Sequence, residues 1–455
     1  MSITIASLIH KVNNTMPKVI FSNLSGSQLT HLTLILLGIF LSPNLAQAQQ
    51  TEIIRHDEKQ DEVTLRIKVT DTEKRPVTTL TKSDFKLKVT EQETDKLVAP
   101  ENGYSDIEFR FKTPLEAKQP PAYILVLLDM SGSMKCSTDL TSTKNCDSSV
   151  GKGKRKLDAA ISALKTFIET AKERGGDTKV AIVPFGYGDI YQPISSQEEL
   201  DEFYHVSDVK HINKLDNLSR NISNDATNIY HSLGEAVKFL TNPSNEPERF
   251  YPKDEEGEPI EPLPRLAVIL LTDGFDNDPK YPDKVEKLKE IKDGLQGNEQ
   301  ITIHTLGYGL TPEEIGRKFN LGRAARLSDT RNQAIAKEYL DVEGLEQISQ
   351  ITPNGLFEIS GDANKIADKL QLFLDAILGE YEIIYTHPNP ERARQYQVIV
   401  SAKDEDSEPK QYRVTIFGRT VPFPIYLGAL GLLGLLGGAW FIPYSLWKKQ
   451  LQEDN

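Results

Sequence analysis

Residues Tyr123 to Leu128 read YILVLL, six apolar residues in a row, and the run closes on Asp129. A strand with one wet face alternates apolar with polar residues. A strand without alternation has to be covered on both faces, as in a parallel sheet held between two layers of helices. This one stretch therefore demands helical partners on either side, and the chain supplies them. KLDAAISALKTFIETAKERGG follows with apolar residues at helical spacing and a glycine stop. The apolar runs KVAIVPFG, RLAVILLTDG, ITIHTLGYG and GLFEIS then alternate with the helical stretches NIYHSLGEAVKFLTN, PDKVEKLKEIKDGL, VEGLEQISQIT and ANKIADKLQLFLDAIL. This order predicts an α/β domain over 121–379 with a doubly wound, mostly parallel sheet.

On both sides of that domain the pattern changes to strict alternation. VTLRIKV sets Val63, Leu65, Ile67 and Val69 against polar partners, and DFKLKV and IEFRFK repeat the pattern. After Gly379 it returns in YEIIYTH, YQVIVSA and QYRVTIFG. Each group alone makes a marginal sheet with little buried surface. The expectation is that the halves 63–118 and 380–419 join into one small β-sandwich with the α/β domain inserted between them. Two separate β units are the alternative. Residues 49–62 are polar and read as a flexible segment, and PLEAKQPP (114–121) reads as a linker.

The formal charge of −13 over 455 residues argues against nucleic acid as a partner. Both ends read as membrane signals. Leu32 to Leu41, LTLILLGIFL, is an apolar core too short to span, and it precedes the small-x-small triplet Ala46-Gln47-Ala48. That predicts a signal peptide over 1–48 cleaved after Ala48, with Met16 as an alternative start. Val421 to Trp447 holds no charged residue, is long enough to cross a bilayer, and is followed by Lys448 and Lys449. It predicts a transmembrane helix over 421–447, a cytoplasmic tail over 448–455, and a single-pass membrane protein whose bulk lies outside the cytoplasm, at the cell surface or in the periplasm. The two cysteines, Cys136 and Cys146, share the polar loop CSTDLTSTKNC. In an oxidising compartment they are expected to pair, the alternative being two free thiols.

In doubly wound sheets ligands bind at the carboxyl ends of the strands. There stand Asp129, Ser131 and Ser133 after YILVLL, Asp273 in LLTDGFDN, and Thr227 in NDATN ahead of a helix. Two carboxylates and three hydroxyls are hard oxygen donors of low total charge. Such a set suits Mg²⁺, and Ca²⁺ or Mn²⁺ less closely. Read singly, the same residues are turn formers and helix caps.

D-x-S-x-S after a buried strand, then a threonine before a helix, then T-D-G after another strand, resembles the von Willebrand factor type A domain. The resemblance covers about Tyr123 to Leu378. It implies a Rossmann-like fold and a metal-ion-dependent adhesion site, with Asp129, Ser131, Ser133, Thr227 and Asp273 in its five positions. In that family the hydroxyls bind the ion directly and the aspartates largely through water. A partner protein's acidic side chain fills the open position. Glycines often precede the threonine there, where this chain has Asp225-Ala226, which touches the loop geometry. The stretch VTDTEKRPVTTLTKSDFKL also looks like the strand unit ahead of such domains in bacterial proteins.

The insert PEEIGRKFNLGRAARLSDTRNQAIAK leaves from the same end of the sheet. Its Arg317, Arg323 and Arg326 are candidates for a basic ligand rim, or for the solvated face of a helix. G-x-S-x-G, H-E-x-x-H and P-loop motifs are missing from the sequence, and no base is evident beside the serines, so an enzyme is not expected. The leading expectation is a membrane-anchored adhesion-type binding protein. A cell-envelope assembly or scaffold component is the alternative, and a metal-dependent hydrolase comes after it.

Overall fold

The protein is described here from a computed structural model. It describes residues 50–59, 61–92, 103–105, 107–117, 119–140, 146, 153–221, 226–242, 247–253, 255, 263–279, 283–298, 300–388, 395–413, 428, 430–436, 444 and 447. The signal peptide expected over 1–48 and the tail over 448–455 lie outside these residues.

The described strands ahead of the α/β domain are β1 (Gln50–Lys59), β2 (Glu62–Thr70), β3 (Phe85–Gln92), β4 (Gly103–Ser105) and β5 (Phe109–Lys112). The domain begins with β6 (Ala122–Asp129), α1 (Lys156–Arg174), β7 (Thr178–Phe185), β8 (Tyr204–His205), α2 (Lys210–Leu218), α3 (Ile229–Thr241) and α4 (Pro247–Phe250). It continues with β9 (Arg265–Thr272), α5 (Lys284–Gly294), β10 (Ile301–Tyr308), α6 (Pro312–Lys318), α7 (Gln333–Ala336), α8 (Val342–Ser349), β11 (Phe357–Ser360) and α9 (Ile366–Leu378). Strands β12 (Tyr381–Thr386), β13 (Gln395–Ala402), β14 (Glu405–Asp406) and β15 (Lys410–Arg413) follow.

The central sheet runs β11-β10-β9-β6-β7-β8. Its pairs are parallel except for the two-residue edge strand β8. Every residue of β6 is buried, because the sheet has a core on each face. Ile124, Val126 and Leu128 point into one with α1 and α9, whose Leu157, Leu164, Phe167, Leu370 and Phe373 pack there. Tyr123, Leu125 and Leu127 point into the other with Leu233, Val237 and Leu240 of α3 and Leu345 and Ile348 of α8. The unbroken apolar run thus follows from two-sided coverage. Helix α1 buries residues at 157, 160, 161, 164, 167, 168 and 171, one face at helical spacing. It stops at Gly175, whose φ of 72° suits a residue without a Cβ.

The flanking strands form two sheets, β1-β2-β12-β5 and β14-β13-β3-β4, with β15 on β13. Strand β12 lies between β2 and β5, and β13 pairs with β3 along its whole length. Residues from both sides of the inserted domain therefore share one core: Val63, Leu65, Ile67, Leu87 and Val89 with Ile383, Val398 and Val400. In the pairing registers, Leu65 stands beside Ile383 and Val89 beside Val398. The alternation of each strand is the imprint of this one-sided burial.

Two expectations are corrected here. Gln50–Lys59 is not a flexible segment: it forms β1, antiparallel to β2, with a register shift between Ile53 and Arg55. It is an edge strand rich in charge, which hides its periodicity and protects its open edge. The transmembrane helix expected over 421–447 is overturned, and with it the single-pass membrane placement. Among the described residues no helix is long and apolar enough to cross a membrane. Freedom from charge measures apolarity alone, while spanning also needs about 20 consecutive helical residues. Of this stretch the structure describes residues 428, 430–436, 444 and 447, and the longest run among them, 430–436, is far shorter than that.

Candidate metal centre

Strands β6 and β9 are parallel neighbours, with Leu128 beside Leu271. Asp129, at the end of β6, and Asp273, just past β9, therefore leave from the same edge of the sheet, and both are fully buried. The Asp129 carboxylate is held from two sides. Its Oδ1 accepts from the Ser131 N–H at 2.8 Å, and its Oδ2 accepts from the Thr272 hydroxyl at 2.5 Å. After Asp129 the chain curls through a short 3₁₀ turn, Gly132–Lys135, whose Met134 is buried. Met134 N donates to Ser131 O and Cys136 N to Ser133 O. This curl points both serines the same way: their hydroxyls are 3.1 Å apart, and Ser133 Oγ donates to Asp273 Oδ1 at 2.7 Å.

Thr227 arrives on a third loop. Its N–H donates to Asn277 Oδ1 at 2.7 Å, and Asn277 N donates back to Thr227 O at 3.0 Å. A Cβ placed on Gly274 would lie 3.6 Å from Thr227 Oγ1 and 3.8 Å from Ser133 Oγ. Both hydroxyls therefore face one point beside Gly274. Asp276 takes the Tyr230 N–H on Oδ2 and the Asp278 N–H on Oδ1, tying this loop to the start of α3. Burial raises the Asp276 carboxyl above its ordinary value. All five residues of the motif lie at the carboxyl edge of β6 and β9.

The electrostatics of the set are unbalanced. Burial first, and then the charge of Asp273, push the Asp129 carboxyl well above the usual carboxylate range. Among the described residues the buried cation beside these carboxylates is Lys156, whose Nζ, 1% exposed, donates to Asp273 Oδ2 at 2.7 Å. Lys156 was not legible as part of the site. As the first residue of α1 it reads as an ordinary polar helix start, and nothing local marks it. Thr272 and Asn277 were missed for the same reason, since each acts through a partner distant in sequence. Among the described residues no group of three or more His, Cys, Asp or Glu side chains is placed to hold a metal. The donor chemistry here is instead two carboxylates and three hydroxyls, which fits a hard cation and excludes a soft one.

A groove of about 700 Å³ opens over these residues, lined among others by Ser131, Ser133, Thr227, Phe275, Lys135 and Lys337. Cys136 and Cys146, joined as a disulfide, form part of its wall. The arginines of the insert do not line it. Arg317 and Arg323 border a separate cavity of about 550 Å³, and Arg323 is held in a two-pronged pair by Asp329, at 2.7 and 2.8 Å. The Arg326 N–H also donates to Asp329. Asp329 thus answers the charge of Arg323. The cations beside the groove are Lys135 and Lys337.

No family model matches the chain, and no curated protein does. Among solved structures, proximal thread matrix protein 1 from the mussel byssus is similar in one crystal form at 17% identity and a TM-score of 0.31. The match covers 57% of this chain and 49% of that one. A second structure of the same protein, described as having a zinc-occupied MIDAS motif, is similar at 16% identity and a TM-score of 0.30, covering 57% of this chain and 48% of that one. This chain therefore spans about half the length of those structures. A likeness at this level carries no argument about the site, which rests on the chain's own residues.

Proposed function

We propose that the chain is a cation-dependent binding protein of the von Willebrand type A kind. In this reading it holds a divalent ion, Mg²⁺ before Ca²⁺ or Mn²⁺, and takes up an acidic side chain of a partner protein. One observation carries the reading: five oxygen-bearing side chains from three loops meet at one strand edge, where buried carboxylates outnumber the cation that answers them. Turn-forming or capping roles explain each residue singly and leave the convergence unexplained.

Ser131, Ser133 and Thr227 would hold the ion with their hydroxyls, and Asp129 and Asp273 would supply its negative charge. When bound, such an ion supplies strong attraction for a further carboxylate oxygen. The chain's own part is to keep the hydroxyls aligned and the carboxylates dry. The reading is of a binder rather than an enzyme, because the serine hydroxyls hydrogen-bond to each other and to Asp273 and not to a base of the histidine kind.

Calorimetric titration of the purified protein with Mg²⁺ tests this directly. Binding that disappears in Asp129→Ala is expected. Equal heats in both proteins, or none in either, would sink the assignment. Capture of a partner that survives EDTA unchanged would point to a scaffold role in place of cation-dependent binding.

A further inference from the structure

Lys156 is a lysine with almost no exposed surface, paired with a carboxylate that has none. Burying an ammonium is costly even when it is paired, so its presence calls for a reason beyond helix initiation. Its partner is already engaged on the other oxygen, since Asp273 Oδ1 accepts from Ser133. A hydroxyl would have satisfied Oδ2 as a hydrogen-bond donor, as Thr272 does for Asp129. What the lysine adds over a hydroxyl is a full positive charge fixed behind the donor set.

We infer that Lys156 is a specificity-determining counter-charge. It weakens the site's hold on the divalent ion and strengthens the ion's hold on a ligand carboxylate. The inference rests on the cation-dependent reading above. Asp129 and Asp273 bring two negative charges, and Lys156 returns one positive. A divalent ion then leaves the assembly at one net positive charge, where the two carboxylates alone would leave it neutral. Charge interactions at such buried positions are only weakly screened. A site kept positive when loaded draws an incoming carboxylate, and the same charge repels the ion itself. One residue therefore moves the two affinities in opposite directions, which a merely structural role would not do.

The test compares the wild type with Lys156→Met and with Lys156→Gln, which keeps a donor to Asp273 and loses the charge. Binding of Mg²⁺ alone is read by calorimetry. Acetate is then titrated into Mn²⁺-loaded protein and read by water-proton relaxation, which reports displacement of metal-bound water. Neutralisation should tighten ion binding by at least about tenfold and weaken acetate binding by a similar factor. If the Met variant fails to fold, as judged by its thermal melt, the Gln variant carries both measurements. Affinities that stay the same or shift in the same direction would overturn the role of Lys156 while leaving the cation site standing. Absence of ion binding in the wild type would overturn the site, and this inference with it.

Discussion

Two regions of this molecule that hold buried carboxylates treat them differently. Where the α/β domain meets the β-sandwich, Glu358 of β11 is 6% exposed and touches two cations, Arg75 at 3.0 Å and Lys369 at 2.6 Å. Glu382 in the sandwich is treated alike, by Arg66 at 2.9 Å and Lys112 at 2.6 Å. At the carboxyl edge of the central sheet the ratio is reversed: two buried carboxylates stand with one buried ammonium, which pairs with Asp273. Both regions sequester acid. In the first, charge is fully answered and the groups hold the structure. In the second, positive charge is short, and the groove that opens there is where a cation would make up the deficit. Compensation, more than burial, separates a structural acid from one available for binding.

The largest expected effect tests the deficit itself. Mg²⁺ at about 100 times its dissociation constant should stabilise the wild type by about 2.7 kcal/mol, because it binds only the folded state. The same addition should leave Asp129→Asn where it was. A thermal melt with and without Mg²⁺ decides the matter, and equal shifts in both proteins would dissolve the contrast.

Next comes a pair of substitutions with different expected signs in metal-free protein. Glu358→Gln removes the acid that two cations share and should cost about 2 kcal/mol, the range of a lost charge-assisted hydrogen bond. Asp129→Asn removes a charge that its neighbour already opposes, so stability should hold or rise. Urea titrations of both variants in EDTA would measure this. A loss in Asp129→Asn as large as that in Glu358→Gln would mean that the groove is compensated after all.

Much of this contrast was visible in the sequence, and its key residue was not. The unbroken run of β6 and the alternation of β2, β3 and β13 are one-dimensional records of two-sided and one-sided burial, so they can be read directly. Asp129, Ser131, Ser133 and Asp273 could be read because they sit where an apolar run stops, and Thr227 because it stands just ahead of a helix. Lys156 could not, because its meaning lies in a partner brought from β9 by the fold. Strand β1 was misread because an edge strand needs little apolar alternation and gains from charge. The apolar stretch after Val421 was misread because freedom from charge records apolarity and says nothing of the length of unbroken helix. For the arginines of the insert, charge counting did not show that Arg323 is answered by Asp329 a few residues away.

Acid should act on the compensated end of the molecule through His304. It is fully buried on β10, stacks on Phe373, and accepts the Leu356 N–H on Nδ1. Burial first, and the nearby charge of Lys68 second, lower its pKa to about 3. A base with a depressed folded pKa gives stability that is full above its unfolded value, about 6.5, and is lost as pH falls toward the folded one. The loss should be at most about 1.4 kcal/mol per pH unit. His304→Asn, which keeps an acceptor for Leu356, should flatten melting temperature against pH between 6.5 and 4. An unchanged slope would assign acid sensitivity to the carboxylates instead.

The smallest effect belongs to Lys337, and it sharpens the comparison by separating fixed from solvated charge. Lys337 is exposed on the groove wall, so water and salt screen it. Within a Debye length of about 10 Å at 0.1 M salt it still repels a divalent ion, and at 1 M, where that length is about 3 Å, it should not. Lys337→Gln is therefore expected to tighten Mg²⁺ binding by about twofold at 0.1 M NaCl, in the range of weak surface charge pairs, and to have no effect at 1 M. Lys156→Gln measured in the same two salts should keep most of its effect at 1 M, because that ammonium is out of reach of counterions. If both substitutions faded equally with salt, Lys156 would be acting from solvent, and the distinction between a buried deficit and a decorated rim would fail.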